Sequence, residues 1–169
     1  MPARIVYLGL GSNVGDRLKN LQNAVRLLSS KINVSAVSDI YESVPEGEGE
    51  SESPLFLNMA IAVETILSLE DLLILCKGIE VTMGRKQEKR NAPRVIDLDI
   101  LCAEETSTCS PQLSVPHASM HRRAFVLAPL CELCPDYIHP LLGKTVEELL
   151  GELPISENAE YWGELNIVF

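Results

Sequence analysis

Basic residues are scarce in this 169-residue chain: 14 Lys plus Arg stand against 24 Asp plus Glu, a net charge of −10. That balance leaves no broad cationic surface and excludes general nucleic-acid binding. No apolar stretch approaches the roughly 20 residues of a membrane span. Ile5 to Leu10 is too short for a signal-peptide core and follows no strongly basic segment. A soluble, cytoplasmic protein is expected. GxxxxGK[ST] is absent, which excludes a P-loop enzyme, and Gly9-x-Gly11-x-x-x-Gly15 is one residue out of step with the dinucleotide fingerprint. Gly11-Ser12 lies too far before Asp97 for a nucleotidyltransferase signature, and Asp97-Leu98-Asp99-Ile100-Leu101 does not match the N-terminal phosphatase pattern. The five cysteines are odd in number and irregularly spaced, so they form no disulfide framework. His117 and His121 followed by Cys131 and Cys134 offer zinc-type ligands. The segment between the pairs is mostly apolar and helix-like, so reduced, packed thiols are the preferred reading.

What is present is 46% hydrophobic residues without low-complexity sequence, enough for one globular domain across residues 1–169. Ile5 to Leu10 reads as a buried first strand. The segment Gly11 to Asp16 is a turn, and Leu18, Leu21, Val25 and Leu28 are the apolar stripe of a helix. Val34 to Val44 reads as a second, long strand. In a third, Phe56 to Glu64, Leu57, Met59, Ile61 and Val63 share one face, and Phe56, Asn58, Ala60 and Ala62 the other. Ser68 is the expected N-cap of a helix reaching about Gly84, with acids in its first turn. A poorly patterned stretch from Ala103 to Gln112 precedes a short helix from about His121, and Thr145 to Glu148 caps a final one. The order β-α-β-β-α-β predicts an α+β, ferredoxin-like sheet with helices packed on it and additional C-terminal helices.

Asp97-Leu98-Asp99 is the most informative stretch. Val95 to Leu101 reads as a strand in which Ile96, Leu98 and Ile100 face one side and Val95, Asp97 and Asp99 the other. Two same-face carboxylates roughly 6–7 Å apart along a strand repel and disfavour the sheet. Mg²⁺, which takes carboxylates together with phosphates, offsets that cost. The bland alternative is a solvated pair at a strand end. The basic residues argue against it, because Arg85, Lys86, Lys89, Arg90 and Arg94 immediately precede the pair and Arg122 and Arg123 follow. A basic loop feeding two carboxylates in an acidic protein suits a metal-bound polyphosphate. The glycine-spaced acidic run Glu46 to Ser53 is either a solvated loop or a lid beside Asn58.

Gly11-Ser12-Asn13, Phe56-Leu57-Asn58, Gly84-Arg85, Pro93-Arg94-x-x-Asp97-Leu98-Asp99 and Val115-Pro116-His117 occur in this order. From Ile5 to Leu150 the chain resembles the 6-hydroxymethyl-7,8-dihydropterin pyrophosphokinases of folate biosynthesis. The resemblance implies transfer of the terminal diphosphate of ATP to the pterin hydroxymethyl group, with release of AMP and the help of two Mg²⁺ ions. It implies Asp97 and Asp99 as metal ligands, and Arg85 and Arg94 as arginines that hold the phosphates and assist transfer. By the same resemblance His117, Arg123, Glu80 and Ile100 contact the nucleotide, and Ser43, Val44, Phe56, Asn58 and Phe125 form the pterin pocket. Aromatic stacking and an amide edge suit a flat, fused heterocycle. Asn91-Ala92 replaces a frequent Trp-Gly, Ala118 a frequent aromatic and His121 a common Lys. The partners expected are small molecules only, and a monomer is favoured. A regulatory or nucleotide-binding module without chemistry, and a metal-dependent phosphohydrolase, are the competing classes.

Overall fold

The computed structural model describes residues 2–46, 54–85, 93–104, 106–157 and 159–167. The sequence expectations for Lys86, Lys89, Arg90, Asn91 and Ala92, and for the acidic run beyond Glu46, lie outside the described residues.

The chain builds a mixed α+β architecture on an antiparallel sheet. In order along the chain come β1 (Arg4–Ser12), α1 (Arg17–Ser29), β2 (Asn33–Val37), β3 (Ile40–Ser43), β4 (Phe56–Thr65), α2 (Leu69–Thr82) and β5 (Asp97–Ala103). A two-stranded hairpin of β6 (Thr108–Cys109) and β7 (Ser114–Val115) follows, then α3 (Ala124–Leu133), α4 (Val146–Gly151) and β8 (Glu160–Gly163). The main sheet has the order β5-β1-β4-β3-β8, with β2 also paired to β4. Its strands pair antiparallel throughout.

Two cores explain the layering. Val6, Leu8, Leu10, Leu57, Met59, Ile61, Val63, Ile96, Leu98 and Ile100 point to one side of the sheet, where Leu21, Val25 and Leu28 of α1 and Leu72, Cys76 and Ile79 of α2 cover them. On the other side Tyr7, Ala60, Ala62, Leu101 and Cys102 pack under Leu127, Leu130, Val146 and Leu149 of α3 and α4. Each large aliphatic side chain so buried contributes roughly 1.5–3 kcal/mol. On β4 the side chains in this second core are the small ones of Ala60 and Ala62.

Local signals act as their chemistry requires. Ser68 caps α2 by accepting from Asp71 N–H at 3.0 Å. Thr145 and Glu148 form a reciprocal capping box on α4. The strand expected over Val34 to Val44 is interrupted. Ser38 replaces a ladder carbonyl with its own hydroxyl, accepting from Ala60 N–H at 2.8 Å, while Asp39 N–H turns to Glu132 of α3 at 2.9 Å. Two short strands therefore follow each other along β4, because a serine side chain offers the backbone an alternative partner. The pairing of β8 with β3 was not anticipated from the sequence. Among the described residues no helix is long and apolar enough to cross a membrane.

Candidate active site

On the α3 side of the sheet, against the first turn of the helix, lies a cleft of about 330 Å³, within the usual range for small-molecule sites. The register explains its floor. Gly9 of β1 stands between Asp99 of β5 and Ala60 of β4, and Gly11 stands between Asp97 and Asn58. A Cβ at Gly9 would come within 3.1 Å of Leu101, and one at Gly11 within 3.3 Å of the Asn58 amide oxygen. The glycines thus keep the floor bare between the acidic edge and the Asn58 edge, two strand spacings or roughly 10 Å apart. The strand-period spacing of Gly9 and Gly11 leaves this stretch of β1 backbone without side chains beside Leu101 and Asn58, a meaning that motif matching missed.

At the acidic edge, Asp97 accepts from Arg85 at 2.8 Å and from Arg94 at 2.7 Å, one guanidinium on each oxygen. Burial works to raise the Asp97 carboxyl, but Arg94 and Arg85 outweigh it and hold the group below the ordinary carboxylate value. The Asp99 carboxylate makes no hydrogen bond or ion pair among the described residues. Burial and the neighbouring Asp97 charge push its carboxyl up to about 6. Arg85 reaches this place through helix termination. Gly84, at φ +93°, lets Arg85 N–H bond to Glu80 C=O at 2.9 Å and its own N–H to Val81 C=O at 3.0 Å. This Schellman closure turns the chain toward β5. Arg94 is held by backbone: its N–H donates to Asn13 Oδ1 at 2.7 Å and its carbonyl accepts from Asn13 N–H at 3.1 Å. Asn13 also donates to Pro54 C=O at 3.3 Å, so this buried side chain ties the Arg94 segment and the approach to β4 to the end of β1. The clamp on Arg94 also explains why β5 starts at Asp97, two residues later than expected.

At the opposite edge, Phe56, Asn58, Val44, Phe125 and Val126 line the cleft. Both amide hydrogens of Asn58 are engaged, one by Ser43 Oγ at 2.9 Å and one by Tyr41 C=O at 3.3 Å. Its oxygen is left to face the floor at Gly11, ready to accept from a ligand N–H. Ser43 therefore lies behind Asn58 and orients it. Arg123 lines the cleft mouth with its guanidinium 5.6 Å from the Phe125 ring centroid, paired with Glu46 at 2.9 Å.

Of the residues singled out in the sequence, Arg94, Asp97, Asp99, Arg123, Val44, Phe56, Asn58 and Phe125 meet around this one cleft. Arg85 joins them through Asp97. His117 follows a cis Val115–Pro116 bond and is tied to β5 by its N–H to Leu101 C=O at 2.7 Å. Burial and the nearby Arg123 charge lower its pKa. Two residues sit elsewhere. Ile100 is in the core beneath α2. Glu80, 2% exposed, accepts from Leu98 N–H at 2.7 Å and from Lys77 at 2.9 Å, and pairs with Arg85. Its carboxylate satisfies the outer edge of β5 and fixes Arg85, so its contribution in this structure is to position the acidic edge. The thiols are all free, and burial pushes that of Cys76 up to about 12. His121 packs edge-on against His139, with ring centroids 6.0 Å apart.

The family model described as 7,8-dihydro-6-hydroxymethylpterin-pyrophosphokinase matches residues 7–135. This chain belongs to that family. It is accordingly a pyrophosphokinase, a diphosphotransferase of folate biosynthesis. A 2-amino-4-hydroxy-6-hydroxymethyldihydropteridine pyrophosphokinase of Methylorubrum extorquens is 42% identical over 149 residues, 87% of this chain and 92% of the relative. One from Bacillus subtilis is 46% identical over 77% of this chain and 78% of the relative. The folic acid synthesis protein of Dictyostelium discoideum is 40% identical over 91% of this chain, which spans only 23% of that longer protein. Among solved structures, wild-type Plasmodium falciparum HPPK-DHPS with pteroate superposes with a TM-score of 0.73 at 17% identity. The likeness covers 89% of this chain and 44% of that one, and it shows the fold alone.

Proposed function

We propose that the cleft binds ATP and 6-hydroxymethyl-7,8-dihydropterin together and transfers the terminal diphosphate of ATP to the pterin hydroxymethyl oxygen, releasing AMP. The observation that carries this reading is the bare glycine floor joining two chemically distinct edges. One edge has two carboxylates and two arginines, and the other an amide acceptor together with two phenylalanines. A polyphosphate suits the first and a flat heterocycle with N–H donors suits the second. Asp97 and Asp99 have the donor chemistry for Mg²⁺, and the cleft-facing Asp99 carboxylate, without a hydrogen bond or ion pair among the described residues, fits a cation. Among the described residues no cluster of three or more His, Cys, Asp or Glu accompanies them. This suits Mg²⁺, which completes its shell with phosphate and water rather than a full protein cage. When bound there, two Mg²⁺ ions would neutralise the triphosphate and align it. Arg94 and Arg85 would meet the charge that develops on the migrating diphosphate, Arg123 and His117 the nucleotide, and Asn58 the pterin edge.

The ferredoxin-like arrangement is part of this proposal. β1 and the β2–β3 pair flank β4, and β5 lies outside β1, as a split β-α-β double unit requires. One chain supplies both edges of the cleft, which supports a single domain working as a monomer, and a cytoplasmic location belongs to the same proposal.

Incubation with ATP, Mg²⁺ and the hydroxymethyldihydropterin tests the reading. AMP formed only when pterin is present is the expected result. ADP or free phosphate would indicate a phosphohydrolase, and absence of turnover a binding module. Within the pterin edge, Asn58→Ala is expected to raise the pterin KM with little change in nucleotide affinity. An unpaired polar group in the complex costs roughly 1–3 kcal/mol. Steady-state kinetics with each substrate varied in turn provide the check, and a selective loss of ATP affinity would place Asn58 elsewhere.

A further inference from the structure

We infer that Glu46 is an internal competitor for the polyphosphate, a carboxylate latch that occupies Arg123 until the nucleotide displaces it. The inference rests on the nucleotide reading of the cleft given above. Glu46 follows β3 by three residues, and Arg123 immediately precedes α3, so their 2.9 Å ion pair spans the mouth between the two walls. Both side chains line the cleft, and both are part-exposed, at 43% and 29%.

The ledger of charge makes the role specific. Three guanidinium groups are gathered here, and each pairs with a carboxylate: Arg85 with Glu80 and Asp97, Arg94 with Asp97, and Arg123 with Glu46. Two of those carboxylates are built in. Glu80 is buried on α2, and Asp97 is on the sheet itself. Glu46 alone of the three belongs to a connection rather than a regular element, and it heads the acidic run noted in the sequence. Its pair with Arg123 is the one an incoming anion can break without disturbing the sheet. A part-exposed pair of this kind is worth at most about 1 kcal/mol, so a triphosphate can displace it readily. Its strength also falls with salt. Arg123 also lies 5.6 Å from the Phe125 ring centroid, a contact that does not depend on Glu46, so release of Glu46 leaves the guanidinium at the mouth and available to phosphate.

Glu46→Gln should therefore bind a non-hydrolysable ATP analogue with Mg²⁺ more tightly than the wild type, by about two- to fivefold at low salt. The gain should shrink as ionic strength rises. Glu46→Asp should retain most of the wild-type affinity. Glu64→Gln, which removes an acid on the far part of β4, should leave affinity unchanged and so controls for net charge. Titration calorimetry of the four proteins decides. Equal or weaker binding by Glu46→Gln would overturn the latch and make Glu46 a support for Arg123. An equal gain in Glu64→Gln would reduce the effect to bulk charge. A wild-type protein that binds no analogue would sink the nucleotide reading itself, and the latch with it.

Discussion

Asp97→Asn and Asp99→Asn should each abolish Mg²⁺-dependent diphosphate transfer, with a loss of at least about 10²–10³-fold, the scale for removing one preorganised electrostatic contact. Both substitutions keep side-chain shape and remove an anionic oxygen from the acidic edge. Their effects on the metal-free fold should differ. Asp97 carries two guanidinium partners, so its replacement weakens two part-exposed ion pairs. Each is worth about 0.2–1 kcal/mol, which amounts to a melting point lower by a few degrees. Asp99 makes no such pair among the described residues and stands beside another carboxylate. Its neutralisation relieves repulsion, and metal-free stability should not fall. Thermal melts without metal, paired with activity titrated against Mg²⁺, separate the cases. An Asp99→Asn protein that melts several degrees lower yet turns over normally would identify Asp99 as structural and remove the metal assignment.

That difference between two neighbouring aspartates was not visible in the sequence, and the reason is general to this chain. Properties with a local period were legible. The alternation of Leu57, Met59, Ile61 and Val63 against Phe56, Asn58, Ala60 and Ala62 divided β4 between the α1–α2 core and the opposite face, which the cleft shares with the α3–α4 core. The same rule put Asp97 and Asp99 on one face, and the caps at Ser68 and Thr145 act within one helical turn. What remained hidden depends on partners distant in sequence. Asn13 clamps Arg94 across 81 positions, and Asp39 N–H turns to a glutamate 93 positions away. Gly9 and Gly11 looked like a failed nucleotide motif until the register set them opposite Asp99 and Asp97. Glu80, expected near the adenosine, also meets a demand the sequence did not show: its carboxylate accepts from Leu98 N–H at the free edge of β5. A buried edge strand must satisfy its outward N–H groups, and that demand is set by the sheet order rather than by local pattern.

Arg94→Ala should lower kcat by about 30- to 1000-fold, equivalent to about 2–4 kcal/mol of transition-state stabilisation, while the KM for ATP changes much less. Several contacts grip the triphosphate in the ground state under this reading, and loss of one is partly covered by the others. The arginine next to the migrating group meets charge that becomes most concentrated during transfer. The fold should tolerate the change. Asn13 holds residue 94 through backbone N–H and C=O, which alanine retains, and Arg85 still pairs with Asp97. Loss of activity with a melting point lowered by no more than the one ion pair to Asp97 costs would thus report on chemistry rather than collapse of the edge. Arg94→Lys should fall between the two, because lysine restores the charge but not the planar fork that can engage a carboxylate and a phosphate together. Presteady-state measurement of a single turnover at saturating ATP isolates the step. A mutant with normal turnover and a KM raised by the full factor would show that Arg94 only binds the nucleotide. The diphosphate-stabilising role would then pass to Arg85, the other guanidinium on Asp97.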